Sequence, residues 1–412
     1  MVPINKLYFR VKTYELKHKP LCLFSLVLFF YAIFDGILSF VFPLVIQQNG
    51  YSKTMIGLII GSSSVAGGIF DFIISKYIRN THFRRIYLLM FVICFLTPVV
   101  LWAAKPLWVF LLTSGLWGIY YDLYHFGKFD FISRATTKDD HSGGFGLLWI
   151  FTSLGYMIAP ILVGLTIGNF IDWKPYLLMY GAIIISLLFF GLLIYMIRKK
   201  KGQYYANQIY KPINFLQEIH IWKKIGKLIL PLLLFTMLMY STNGFFWTIG
   251  PLFSENFKNI YPFNGLFLAL YELPPLLIGW FIGSITIKFG KKRTAYFSFM
   301  IGSLILISFA FIQSFPILLI AIFLSSLFIS AAWPSLSGTY VDYICEARNQ
   351  EEEIEALDDF FCNLGCIIGP VSAGILADQF GNQNSFAVLG LIGAMATFTL
   401  WKKTPKEIVI KI

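Results

Sequence analysis

In this chain of 412 residues, 57% of the side chains are hydrophobic and 13% are charged, whereas soluble domains average about 45 to 50% and about 25%. That excess of apolar surface excludes a water-soluble globule and points to a protein embedded in lipid. A net charge of +12 would suit nucleic acid only if it gathered on one surface, and it is spread along the loops instead.

Residues 1–20 are polar and basic and precede an apolar run long enough to span a bilayer, so no cleavable signal peptide is expected. Crossing a hydrocarbon core of about 30 Å takes roughly 17 to 25 apolar residues. Twelve such runs follow in order: 21–46, 54–75, 86–104, 106–126, 145–167, 175–197, 226–250, 263–287, 294–312, 315–338, 360–380 and 385–401. Lipid offers backbone groups no partner outside the segment, so each run is expected to be a helix. The fold class is therefore all-α and polytopic, with twelve transmembrane helices. With the N-terminus inside, 29 of the 33 Lys and Arg fall in inner segments, and only Lys53, Lys105, Lys174 and Lys258 lie outside. By the positive-inside rule both termini are expected on the cytoplasmic side of a multi-pass cytoplasmic-membrane protein.

Between predicted helices 6 and 7 lies the charged stretch RKKKGQYYANQIYKPINF, beginning at Arg198. It marks a linker at 198–225 between an N-terminal half, 1–197, and a C-terminal half, 226–412. Within it Asn214 is a candidate cap, and Phe215, Ile219 and Trp222 share a face with Lys223 and Lys224 near another, as in a helix lying on a membrane surface. The acidic block EEEIEALDD at 351–359 either pairs with basic turns at 84–85 or 291–293 as an inner latch, or is a solvated acidic helix. Five cysteines without a CxxC pair argue against a metal site, and Cys362 and Cys366 read as small packing residues.

One phrase occurs twice. LGYMIAPILVG at 154–164 and LGCIIGPVSAG at 364–374 place Gly155 and Pro160 against Gly365, Gly369 and Pro370. The match extends outward. Asp35, Gly36 and Pro43 answer Asn243, Gly244 and Pro251 at an offset of 208, and FDFIS at 129–133 answers VDYIC at 341–345. The chain is a parallel duplication of six helices, the plan of a large class of secondary transporter whose substrate site lies between the halves. Small residues four apart let helices approach closely and Pro allows a bend, so each phrase is expected to mark a hinge-like gating helix.

These features resemble the major facilitator superfamily, and the resemblance covers the whole chain. The superfamily's signature after helix 2, G-x-x-x-D-(R/K)-x-G-(R/K)-(R/K), is kept in part by each half. Gly67 and Asp71 stand in the first, with Phe72 in the basic position; Gly283, Lys288, Gly290, Lys291, Lys292 and Arg293 stand in the second, with Ile287 replacing the Asp. The Gly-Pro phrases look like the helix 5 motif of the drug and proton antiporters, with Ala159, Val163 and Ala373 as departures. The resemblance implies a fold of two pseudo-symmetric halves that rock about a central cavity. Asp71 is then expected near the inner end of helix 11. The antiporters' R-x-x-Q-G pattern is absent from helix 4, which reads LLTSGLWGIYYD.

A carboxylate at mid-bilayer costs about 2.5 to 3.5 kcal/mol on insertion scales, so Asp35, Asp122 and Glu272, on helices 1, 4 and 8, are informative. The resemblance places those helices around the cavity, and Asp35 and Glu272 are the leading proton or substrate sites. The alternative is that each carboxylate is held by neighbouring Tyr, Ser or Asn for packing. Tyr120, Tyr121, Tyr124, Asn243, Trp247 and Tyr271 suggest a lining able to stack on or hydrogen-bond a moderately hydrophobic small solute. His125, close to Lys128 and Asp130, reads as interfacial. No basic residue lies mid-helix, which disfavours anionic substrates. With no phosphate loop, zinc motif or nucleophile signature, neither an enzyme nor a cofactor is expected. The reading is a monomeric secondary transporter exporting its solute in exchange for protons. A sugar-like nutrient importer or uniporter, a lipid flippase and a non-transporting sensor are the alternatives.

Overall fold

The computed structural model describes residues 19–78, 83–135, 141–168, 171–199, 215–257, 265–279, 281–346 and 351–405. All regular structure among them is helical. The first six helices are α1 (Lys19–Gln48), α2 (Lys53–Ile78), α3 (Phe83–Trp102), α4 (Leu107–Ala135), α5 (His141–Thr166) and α6 (Lys174–Lys199). The next is α7 (Phe215–Glu255). It is followed by α8 in three pieces (Leu266–Glu272, Pro274–Ile278 and Ile282–Phe289), then α9 (Lys291–Ile307) and α10 (Phe315–Glu346). The last stretch, Glu351–Lys403, breaks at Gly381, whose φ of 81° lies in the left-handed region that favours glycine. It is described as α11 (351–380) and α12 (382–403).

Nine described helices are long and apolar enough to cross a bilayer, or ten with the broken α8. Gly381 divides one of these in two, and α4 completes the twelve: it has 29 residues but is too rich in Tyr, Trp, Gly and charge to pass as apolar. The expected linker ends earlier than the sequence suggests. Residues 215–225 form the first turns of α7, a single 41-residue helix, rather than a separate element. Residues 200–214, including Asn214, lie outside the described residues.

Within the first half α1 packs on α5 and α6, and α4 packs on α2 and α3; in the second, α7 packs on α11, and α9 on α10 and α12. Contacts between the halves run through α2 with α11, α5 with α8, and α1 with α7. The duplication is visible in the packing. A side chain at Gly155 would meet the Phe29 carbonyl and Ile33 amide of α1, and one at Gly365 would meet the Met237 carbonyl and Ser241 amide of α7. Both α1–α7 pairs keep the 208-residue offset, so each Gly-Pro phrase seats its helix on the first helix of its own half.

Candidate substrate cavity

Between the halves lies a cavity of about 510 Å³, within the usual range of about 300 to 1,000 Å³ for ligand pockets. At its centre Asp35, buried in α1, accepts three hydrogen bonds. They come from Tyr120 Oη at 2.5 Å, Tyr156 Oη at 2.7 Å and Trp117 Nε1 at 3.0 Å. Trp117 and Tyr120 are three apart on α4 and so present one face, while Tyr156 approaches from α5. The Tyr156 ring stands 5.9 Å from that of Trp247 on α7, and the Trp247 indole donates to the Glu272 carboxylate. Asp35, Tyr156, Trp247 and Glu272 therefore form a chain that crosses from one half to the other.

Asn243 also lines the cavity, and its Oδ1 accepts from Tyr271 Oη at 3.1 Å. Tyr121 and Tyr124 line the same wall. Asp122 is turned toward α2, where Gly67 leaves room that a side chain would take from its carboxylate. Cys366 lines the cavity beside Ser64 of α2. The cysteine is thus a wall residue as well as a packing one.

The face opposite the start of α1 and the end of α12 is closed by two contacts that repeat the duplication. A Cβ at Gly57 of α2 would strike the carbonyl of Pro370 in α11, and one at Gly265 beside α8 would strike the carbonyl of Pro160 in α5. Gly57 and Gly265 are 208 apart, the offset of the helix 1 and 7 match, so the signal was present in the sequence but attached to residues that carry no motif. Asp378, at the same end of α11, accepts from Thr54 N at 2.8 Å, Thr54 Oγ1 at 2.7 Å and Lys53 N at 3.2 Å. It caps the start of α2 from the other half. Toward the termini the cavity extends to His125, Lys128 and Phe145. Lys128 reaches this wall from the end of α4, so the sequence reading that withheld a cation from the cavity is incomplete.

The remaining gate candidates divide. Asp71 belongs to α2, but its side chain lies outside the described residues. Gly369 abuts Ser241 of α7, and Pro370 touches Gly244. Gly290 has φ +85° between α8 and α9, a turn that suits glycine, and Lys288 is exposed, with its ammonium 5.3 Å from the Phe289 ring centre. The latch onto the acidic block is not seen for Lys291, which pairs with Asp342 at 2.5 Å; within the block, Asp358 accepts from Thr236 at 3.0 Å.

Twelve helices in two repeated halves around a polar, aromatic cavity closed at one face define a secondary transporter. The Major Facilitator Superfamily model matches residues 24–258 and 232–410, and the chain belongs to that family. An uncharacterized MFS-type transporter, YqjV of Bacillus subtilis (strain 168), is 23% identical over 362 residues, covering 85% of this chain and 84% of that protein. Among solved structures, the nucleoside transporter NupG superposes with a TM-score of 0.71 at 13% identity, covering 94% of this chain and 98% of that one. An inward-facing bacterial homolog of the human lysosomal transporter Spinster gives 0.75 at 12%, covering 94% and 97%. These likenesses establish the fold.

Proposed function

We propose that this transporter exports a small, moderately hydrophobic solute across the cytoplasmic membrane in exchange for protons, with Glu272 carrying the proton. The observation that carries this reading is the unequal surroundings of the two central acids. Asp35 is clamped by three donors of its own half, so it acts as a pin holding α1, α4 and α5 together. Among the described residues Glu272 has one side-chain donor, the Trp247 indole, which belongs to another helix and itself meets Tyr156 of the opposite half edge-to-face. A rocking motion that separates Tyr156 from Trp247 changes the surroundings of Glu272 and leaves Asp35 in place. With the termini inside, as the 29 to 4 charge split indicates, the His125 and Lys128 end of the cavity faces the cytoplasm and the face closed by contacts at Gly57, Gly265 and Asp378 is external.

Proteoliposomes holding a pH-sensitive dye, challenged with a panel of aromatic amines, acids, neutral nucleosides and short peptides, test the reading. At least one solute is expected to move protons through the wild type. Glu272→Gln should then still exchange that solute when it is supplied at saturating concentration but fail to accumulate it against a proton gradient. Unchanged gradient-driven accumulation by Glu272→Gln, or no solute-linked proton movement across the whole panel, would overturn it.

A further inference from the structure

The wall of the cavity carries opposite charges at two levels, and among the described residues neither has an ion-pair partner. At the central level the Glu272 carboxylate has the Trp247 indole as a donor and no ion pair among the described residues. Toward the terminal face, the Lys128 ammonium lies against aromatic faces, 4.9 Å from the Tyr124 ring centre and 5.8 Å from that of Phe129, with no ion pair among the described residues. His125, one turn from Lys128 and 4.6 Å from the Tyr121 ring, holds its Nε2 buried and without a hydrogen-bond partner. Asp122, the other acid of this wall, faces Gly67. A half-buried ammonium beside an imidazole nitrogen without a partner is costly unless a polar group arrives, and Glu272 has no cation beside it among the described residues.

Their separation follows from the helix. Tyr120 holds Asp35 at the central level, and Lys128 is eight residues further along α4, or about 12 Å at 1.5 Å per residue. Helical side chains lean toward the N-terminus, and the contact with Tyr124 shows Lys128 doing so, which puts its ammonium about 6 to 12 Å from the level of Asp35 along the axis; the Asp35–Tyr156–Trp247–Glu272 chain links that level to Glu272. Tyr121, Tyr124, Tyr156 and Trp247 line the same cavity, with faces suited to an apolar or aromatic middle.

We propose that the solute is amphoteric: an amine received by Glu272 and a carboxylate or similar anion received by Lys128 and His125, joined by an apolar body. The assignment rests on the cavity being the transport site. An extended chain advances about 3.3 to 3.6 Å per residue, so a tripeptide with free ends spans the two levels, and a blocked series isolates each charge. The probes are Ala-Phe-Ala, its N-acetyl form, its C-terminal amide and the doubly blocked form, titrated calorimetrically against the full-length protein in nanodiscs.

The wild type is expected to bind the free tripeptide at least about tenfold tighter than either singly blocked form. Lys128→Gln should make the free acid and the amide equal while keeping the preference for a free amine, Lys128→Arg should restore discrimination, and Glu272→Gln should do the reverse of Lys128→Gln. Equal wild-type affinity for acid and amide, an unchanged ratio in Lys128→Gln, or binding of no form at all would overturn the proposal. Because the flux panel includes solutes of every charge type, proton-linked transport combined with failure of the peptide series removes the amphoteric assignment and leaves the transport reading standing.

Discussion

Asp378 offers the sharpest test of how the closed face is held. Its carboxylate joins the halves by three hydrogen bonds, to Thr54 N at 2.8 Å, Thr54 Oγ1 at 2.7 Å and Lys53 N at 3.2 Å, and it exists as a cap only while α11 touches the start of α2. Removing a helix cap costs about 0.5 to 2 kcal/mol, typically near 1, and here that cost falls on one conformation alone. A differential of about 1 kcal/mol shifts a two-state ratio about fivefold, since about 1.4 kcal/mol is tenfold. Asp378→Ala should therefore raise the ratio of open to closed at this face about fivefold. Asp378→Asn, whose amide oxygen still accepts, should shift it less. Spin labels at Gln48→Cys and Gln379→Cys, both exposed, in a background without the native cysteines would read the distance across the face by pulsed electron resonance. Identical distance distributions for wild type and Asp378→Ala would show that the trans cap does not hold the gate.

Gly57→Ala should open the same face more strongly than Gly61→Ala, because its Cβ would strike the Pro370 carbonyl whereas that of Gly61 would stand 3.1 Å from the Ile367 carbonyl; the same label pair ranks them. Asp35→Asn replaces one accepting carboxylate oxygen with an amide nitrogen that cannot accept, so at least one of the three hydrogen bonds must be lost or reversed, at a cost of about 0.5 to 1.5 kcal/mol. It should lower the thermal midpoint of the purified protein, and an unchanged midpoint would remove Asp35 as a structural pin. Asp342→Asn breaks an ion pair with Lys291 whose side chains are 50% and 41% exposed, and exposed pairs contribute about 0 to 1 kcal/mol. Its midpoint and transport should match wild type, and a large loss of either would mean that this pair serves the gate.

The twelve spans and the duplication were legible in the sequence because each rests on a local requirement. In lipid every backbone group must bond within its own segment, so an apolar run of sufficient length becomes a helix whatever its neighbours are. The repeat survives as fixed offsets, and these reached even Gly57 and Gly265. Candidate acids were also legible, because charge within an apolar run stands out. Their roles were not. That Trp117, Tyr120 and Tyr156 all aim at Asp35, that Glu272 keeps one indole donor, that Lys128 leans back into the cavity and that Asp378 caps a helix 324 residues away depend on which helix faces which. Lateral packing in a bilayer has no strong hydrophobic drive, since lipid tails are as apolar as the helices. Orientation is decided by close contacts at small residues and by polar pairs between distant segments, information that no single stretch of the chain contains.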